Sequence, residues 1–437
     1  MHSPVNMKIE LINIGTELMA GHVLNTHHMW MAKTLFESGY RITRQICIDD
    51  EAKEVRKEVE SAVSTADIVL TTGGLGPTSD DLTRETIAEL LGKTLHRDET
   101  VMNRLRSFFE SKRREIPTGV DVQADVPDGA EVIINYFGTA PGLILRFDRI
   151  DSATTGENRK GLLVMLPGPP RELRPMFKDQ ILPYMKQHSP LEKPLVCVIL
   201  RTTGIGESIV ESRLKEPLKE CINDGLEIGF CAQPGMVDIR LQSQSGDAEQ
   251  VVAMARKIVE DILSKYIYGV ESDLLEERII QDLTKTGKRV VTVESCTGGR
   301  ISDRLTNIPG ASAVVWGGFT TYSNESKSKC IGVNPQTLEQ FGAVSSQTAA
   351  EMAEGALKQS GAEFALSVTG IAGPSGGSSE KPIGTVFIGI ASKSLSTRVL
   401  HKINVFDRET FKTITSNQAL DLLRKTIRKS NHEPSSG

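Results

Sequence analysis

Apolar and polar positions along this chain follow two periods, and the changes between them mark out its elements. Short apolar runs closed by glycine or polar residues read as buried strands: Ile9 to Ile14, ending at Gly15, Arg41 to Ile48, and Ile68 to Thr72. Helical spacing fills the gaps, over Val23 to Ser38, where Gly39 suits a C-terminal cap, and over Glu51 to Val63. The third strand runs straight into GGLGPTSDD, Gly73 to Asp81, after which Thr83, Ile87, Leu90 and Leu91 share one helical face. A turn-rich loop, Asn135 to Gly142, and a polar surface segment, Asp148 to Arg159, lead to a strand at Leu162 to Leu166 that ends in PGPPREL. Strand and helix alternate here in the α/β manner.

Pro190 to Pro194 marks a boundary. Beyond it, a strand at Leu195 to Arg201, a helix opened by GIGES, strands at Leu226 to Cys231 and Met236 to Leu241, and a helix from Ala248 to Tyr266 predict a small α/β module. A last region begins near Asp273. Leu275, Ile279 and Leu283 give one helix, and Ala419, Leu422, Leu423 and Ile427 a terminal one, ahead of a polar, frayed tail from Ser430 to Gly437. Ala349, Met352, Ala353, Ala356 and Leu357 give a third helix behind a Ser345 or Ser346 cap, and their small-residue stripe reads as core. Val290 to Val293 and Ala365 to Val368 are strands. Three α/β domains are expected, over 1–178, 190–268 and 270–430.

Composition narrows the class. The 437 residues are 39% hydrophobic and 24% charged, as in a soluble globular protein of two or three domains. A net charge of −5 disfavours broad nucleic-acid binding, and no run of about 18 apolar residues is present to span a membrane. The start, MHSPVNMKIE, lacks the apolar core of a signal peptide. The 6 cysteines are scattered, with no C-x-x-C pair, which points to reduced thiols in the cytoplasm and away from structural zinc.

Candidate chemistry concentrates where strands end. ESCTGG, Glu294 to Gly299, follows the strand at Val290 and opens a helical segment. A strand that turns into a helix leaves unpaired N–H groups and a positive dipole end at the turn. Ser295 there is either a nucleophile beside an anion site or an N-cap in a glycine-rich turn. FTTYSNESK brings Tyr322 and Lys327 close in sequence, and TGIAGPSGG follows the strand at Ala365. A lysine whose pKa is lowered by burial can serve as base, so no histidine is needed. Cys296 is the rival nucleophile, but adjacent side chains in a tight turn point apart. At the other end of the chain, the glycines of GGLGPTSDD allow close approach to a phosphate. Asp81 is the natural cap of the following helix, and Asp80 is free for a hard divalent metal.

From Glu294 to Thr385 the chain resembles the carboxyl-terminal domain of the CinA family (competence/damage-inducible protein A), through ESCTGG, PGAS, YSNESK, GAVSSQTAAEMAEGA, TGIAGPSGG and KPIGTVFIG. The resemblance implies a three-layer nicotinamide mononucleotide deamidase that needs no cofactor. It implies Ser295 as nucleophile, Lys327 as base, Tyr322 and Thr369 as supporting groups, and Thr297, Gly298, Gly299, Gly370, Arg408 and Lys412 as the substrate-binding set. Lys412 stands in VFDRETFK where the family usually has a second arginine, which keeps the charge and loses the two-pronged grip.

From Met7 to Met176 the chain is similar to the same family's molybdopterin-binding type domain, through NIGTELMAGHVLNT, GGLGPTSDDLT, NYFGTAPG and LPGPPREL. That likeness implies a three-layer domain hydrolysing ADP-ribose with a divalent metal, magnesium or cobalt, at Asp80 and Asp81. Glu17, Asn25, Gly73, Gly74, Thr78, Gly138, Thr139 and Pro141 would line its nucleotide cleft. His27 replaces a usual asparagine, and Val122 a usual basic residue. The family's middle domain is KH-like. Here its nucleotide-clamping loop reads GIGE, with acidic Glu207, so a structural or dimer-forming role is expected over nucleic-acid binding. Two other readings stay open: a non-enzymatic interaction protein of competence or DNA damage, and molybdopterin-type nucleotide binding alone.

Overall fold

A computed structural model describes residues 7–150, 158–191, 193 and 195–432. Parts of the expected Asp148–Arg159 surface segment, of the Pro190–Pro194 boundary and of the polar tail lie outside those residues. The chain divides into two compact units, Met1–Leu195 and Val196–Gly437.

In the first unit the strands are β1 (Ile9–Ile14), β2 (Ile42–Ile48), β3 (Ile68–Thr72), β4 (Leu95–Arg97), β5 (Asp125–Pro127), β6 (Glu131–Ile133), β7 (Gly142–Ile150) and β8 (Asn158–Leu166). Six of them form one sheet in the order β2-β1-β3-β8-β7-β6, while β4 and β5 pair separately. β2, β1, β3 and β8 run parallel, and β7 and β6 complete the edge antiparallel. Every residue of β1 and β3 is buried, as continuous apolar runs require in a sheet covered on both faces. One face packs Val55, Val59, Ile87 and Leu105 against Ile12 and Val69. The other packs Met31, Leu35, Phe177 and Met185 against Ile9, Leu11 and Val164. The expected three layers are there.

The second unit holds two sheets. β9 (Val196–Thr203), β10 (Glu227–Gln233), β11 (Met236–Ser243) and β12 (Ile267–Val270) pair antiparallel in the order β10-β11-β9-β12. β13 (Val290–Glu294), β14 (Val315–Thr320), β15 (Phe364–Gly370), β16 (Thr385–Ser392) and β17 (Arg398–Ile403) pair in the order β14-β13-β15-β16-β17, the first three parallel. Ile279, Leu283, Ile301, Leu305, Phe411 and Leu423 cover one face of this sheet. Ile331, Met352, Ala353 and Ala356 cover the other, so the small-residue stripe is core. Three α/β modules account for the described chain.

Helix ends, one helix cap and one strand start differ from the sequence expectation. The strand expected from Leu162 begins at Asn158, and β7 runs to Ile150, so both described ends of the expected Asp148–Arg159 surface segment are strand. The helix expected from Val23 runs Thr26–Glu37, because the Asn25 side chain accepts the N–H groups of His27 and His28 and starts it there. Val23 and Leu24 are left outside, exposed. The helix expected to reach Tyr266 stops at Leu263, and β12 follows. The terminal helix begins earlier, at Arg408, and continues to His432. Asp81 does not cap the Thr83–Leu90 helix, whose N-cap is Leu82 without a side-chain bond. Its carboxylate folds back on its own loop, accepting the N–H of Thr78 at 3.0 Å and that residue's hydroxyl.

The terminal helix ties the two sheets of the second unit together. Arg424, 1% exposed, donates to the carbonyls of Ile267 (3.0 Å) and Lys265 (3.3 Å) and to Asp421 Oδ1 (2.7 Å). Arg424→Leu would strand both carbonyls and leave Asp421 with Lys425 as its cation. A loss of about 3 kcal/mol is expected, read as an earlier urea transition of the second unit at unchanged slope.

Candidate active site

β13 is flanked by β14 on one side and β15 on the other, so the chain crosses over in opposite directions from it. At such a switch point the carboxyl ends of the strands leave a crevice. Ser295 follows β13, the helix carrying Lys327 (Asn324–Ile331) follows β14, and Thr369 lies near the end of β15. Residues far apart in sequence thus meet at one sheet edge.

Ser295 and Lys327 are in contact. Lys327 Nζ lies 3.1 Å from Ser295 Oγ, 2.8 Å from the Thr321 carbonyl and 3.4 Å from that of Tyr322. Lys327 is fully buried and Ser295 is 8% exposed. Burial, which disfavours the charged form, holds the Lys327 amine below the ordinary lysine value of 10.5, with a smaller opposing pull from Cys296. The hydroxyl that sequence left as cap or nucleophile is therefore engaged by an amine. The helix after the turn, Arg300–Thr306, has Gly299 as its N-cap and no side-chain cap from Ser295. Cys296 points into the core, and burial pushes its thiol up to about 12.

The helix end itself differs from expectation. Three of its N–H groups are not open to an anion, because the Glu294 carboxylate takes them. That side chain accepts from Gly299 N (3.0 Å), Ile301 N (3.1 Å), Ser302 N (2.8 Å) and Ser302 Oγ (3.0 Å). Sequence reasoning missed this residue, although it opens the ESCTGG motif. Ser295 N–H is also occupied, by the Val368 carbonyl at 3.0 Å. Among the described residues, no carbonyl or carboxylate accepts the N–H of Cys296 or Thr297. The Thr297 hydroxyl is buried without a hydrogen-bond partner.

The remaining expected groups split in two. Arg408 donates to Tyr322 Oη (3.0 Å) and to the Gly373 carbonyl (2.9 Å), joining the start of the terminal helix to the loop after β15. Tyr322 is 63% exposed at the mouth. Lys412, one turn along, has its ammonium over the turn, 3.7 Å from where a Cβ on Gly298 would sit. The Thr369 hydroxyl instead donates to the Ala343 carbonyl at 2.7 Å, and a Cβ on Gly370 would meet the Thr385 carbonyl at 2.8 Å. Those two residues shape the strand end and the loop beside it.

In the first unit β1, β3 and β8 also end at one edge, where Gly73 lies against the end of β1 and against Gly168 of the PGPP loop, and Glu17 lies in the segment after β1. A Cβ on Gly73 would lie 2.2 Å from the Ile14 carbonyl, and one on Gly74 2.0 Å from Thr83 Oγ1, so this turn has room for glycine only. Asp80 is exposed and Asp81 half-buried beside it. Among the described residues no three His, Cys, Asp or Glu side chains gather as a metal cage. The exposed Asp80 carboxylate and the Asp81 oxygen not engaged by Thr78 would suit a hard cation that completes its coordination with other oxygens. Asn25 spends its carbonyl oxygen on the helix cap and its Nδ2 on Cys47 Sγ. His27 is buried, with Nε2 2.5 Å from the Gly168 carbonyl, and burial lowers its pKa. Val122 is half-buried in a short turn, and the next residue, Gln123, bonds the Leu75 carbonyl. Gly138 N–H and the loop through Thr139 and Pro141 are held by Asn135, which also donates to Glu172 at 2.8 Å. Asn135 and Glu172 were not singled out from sequence, though both lie in the quoted motifs NYFGTAPG and LPGPPREL.

In the small module, Gly204 of GIGE is turned toward the terminal helix, where an added Cβ would lie 3.4 Å from Asp421 Oδ2. A loop facing a carboxylate is a poor clamp for a phosphate backbone.

Comparison with known proteins matches three family models in order. "Probable molybdopterin binding domain" covers residues 10–187, "Damage-inducible protein CinA KH domain" 198–269 and "CinA C-terminal domain" 272–427. A "Putative competence-damage inducible protein" of Caldicellulosiruptor bescii is 41% identical over 96% of this chain and 99% of its own length. Its counterpart in Caldicellulosiruptor saccharolyticus is 38% identical over the same shares, and a "CinA-like protein" of Kosmotoga olearia 36% identical over 96% and 99%. No helix of the described residues is long and apolar enough to cross a membrane. By full-length similarity and by its three domains in order, this chain belongs to the CinA family.

Proposed function

We propose that the protein hydrolyses the carboxamide of nicotinamide mononucleotide to nicotinate mononucleotide and ammonia. One observation carries the reading: a fully buried lysine amine 3.1 Å from a serine hydroxyl at the crevice of the sheet. Among the described residues no carboxylate pairs with that amine, so burial, the largest influence on it, favours the neutral form over the weaker opposing pull of Cys296. The neutral amine accepts the Ser295 proton as Oγ attacks the amide carbon. The N–H groups of Cys296 and Thr297, next to Ser295 in the turn, are unspent donors for the oxyanion. Lys327 returns the proton to the leaving nitrogen, the C–N bond breaks, and ammonia departs. Water then adds to the acyl-serine, and Oγ regains its proton. Arg408 and Lys412 supply cations for the phosphate, and Tyr322 an aromatic face for the nicotinamide ring. The competing interaction-protein reading gives no reason to bury an unpaired lysine against a serine.

A second site is proposed at the edge of β1 and β3 in the first unit, taking ADP-ribose. Asp80 and Asp81 would hold a divalent ion, magnesium or cobalt, which offsets pyrophosphate charge and activates water when bound. The Gly73–Gly74 backbone would approach the phosphates.

Ser295→Ala is expected to lower ammonia release by on the order of 10⁴-fold or more, while Cys296→Ser retains most of it. The reverse pattern in a coupled ammonia assay overturns the nucleophile. Because the neutral amine is the active form and burial lowers its pKa, kcat/KM should rise with pH along an acid limb centred below 10.5. Lys327→Arg, which stays charged, should remove the activity at every pH. For the second site, magnesium-dependent AMP release from ADP-ribose should vanish in Asp80→Ala and persist in Ser295→Ala.

A further inference from the structure

Glu294 is fully buried, and among the described residues its carboxylate has no cation for a partner. It is matched instead by four donors from one short stretch of chain. Oε2 takes the N–H groups of Gly299 and Ile301, and Oε1 takes the N–H and hydroxyl of Ser302. A carboxylate only accepts, so Ser302 Oγ donates to it. The 2.5 Å contact between Ser302 and Thr292 is then a bond donated by Thr292. Gly318 on β14 leaves the space: a Cβ there would lie 2.4 Å from Ser302 Oγ and 2.7 Å from Thr292 Oγ1.

The same residue touches both halves of the proposed dyad through its neighbours. Its side chain pins Gly299, the far end of the turn that begins at Ser295, whose near end is pinned by Ser295 N–H to Val368. Its main-chain carbonyl accepts Thr321 N–H at 2.9 Å, and the Thr321 carbonyl in turn accepts Lys327 Nζ.

We infer that Glu294 is a positioning residue for the Ser295–Lys327 pair, clamping the turn that carries the serine against the start of the Arg300–Thr306 helix. The inference rests on the amidase reading for its catalytic consequence, but not for its structural one. Bonding the helix start from within leaves Cys296 and Thr297 as the turn's donors for substrate. Glutamine is a demanding substitute. Whichever way its amide turns, an NH2 group faces N–H donors where a carboxylate oxygen accepted two bonds.

The test compares wild type, Glu294→Gln and Ser302→Ala in the full chain, with two readouts. In ammonia release from nicotinamide mononucleotide, Glu294→Gln should lose about 10²-fold in kcat, the scale of an ångström-sized misplacement, with KM within a few-fold of wild type. Ser302→Ala, which removes one of the four bonds and folds without a buried amide, should lose less in kcat, again at steady KM. In amide hydrogen exchange, Gly299, Ile301 and Ser302 should lose protection in Glu294→Gln while β13 and β15 keep theirs. An unchanged kcat in both variants, or a rise in KM alone, overturns the positioning role. Retained protection of the three amides overturns the clamp. If wild type releases no ammonia, the amidase reading fails by itself, and exchange still decides the clamp.

Discussion

Two ionisable side chains, Glu294 and Lys327, are closed inside the carboxyl edge of one sheet, and among the described residues neither has an opposite charge for a partner. A buried charge is costly unless hydrogen bonds compensate it or the group becomes neutral. The chain uses one remedy for each. Glu294 collects donors from the first turn of the Arg300–Thr306 helix, where N–H groups are unspent by geometry. Lys327 meets a hydroxyl and two carbonyls, and burial moves it toward its neutral form. The rest of the second unit's larger sheet is arranged so that both can happen within a single crevice.

That arrangement follows from strand order. With β13 between β14 and β15, the loops after all three reach the same edge, and the serine, the lysine and the Val368 carbonyl converge there. The first unit repeats the logic with β1 between β2 and β3, placing Gly73 against the Ile14 carbonyl at the end of β1. The terminal helix links the second unit's parts: Arg408 and Lys412 at its start face the crevice, Asn417 donates to the Pro234 carbonyl of the small module, and Arg424 grips β12's neighbourhood. Arg304, behind the serine turn, donates to the same Asn417 at 2.6 Å.

Much of this was legible in the chain. Buried strands with unbroken apolar runs and helices with clean stripes declare themselves by period, which is why β1, β3, β13 and the Ser346–Ser360 helix need no correction. Short or half-exposed strands do not. β12 has four residues and β17 is exposed at most positions, so neither carries a period strong enough to read. Asp81 looked like a cap because it precedes a helix, yet its own loop offered a nearer N–H at Thr78.

By itself the sequence determined the family, the order of the three modules, and the residue types at each strand end, because motif and period are local properties. Which atoms those residues use was decided only by tertiary structure. The Ser295 hydroxyl serves an amine 32 positions away and not the adjacent helix, the Glu294 carboxylate takes the cap instead, and Thr369 turns to Ala343. A hydrogen bond is chosen by distance in space, and strand pairing sets that distance after the local pattern has been spent.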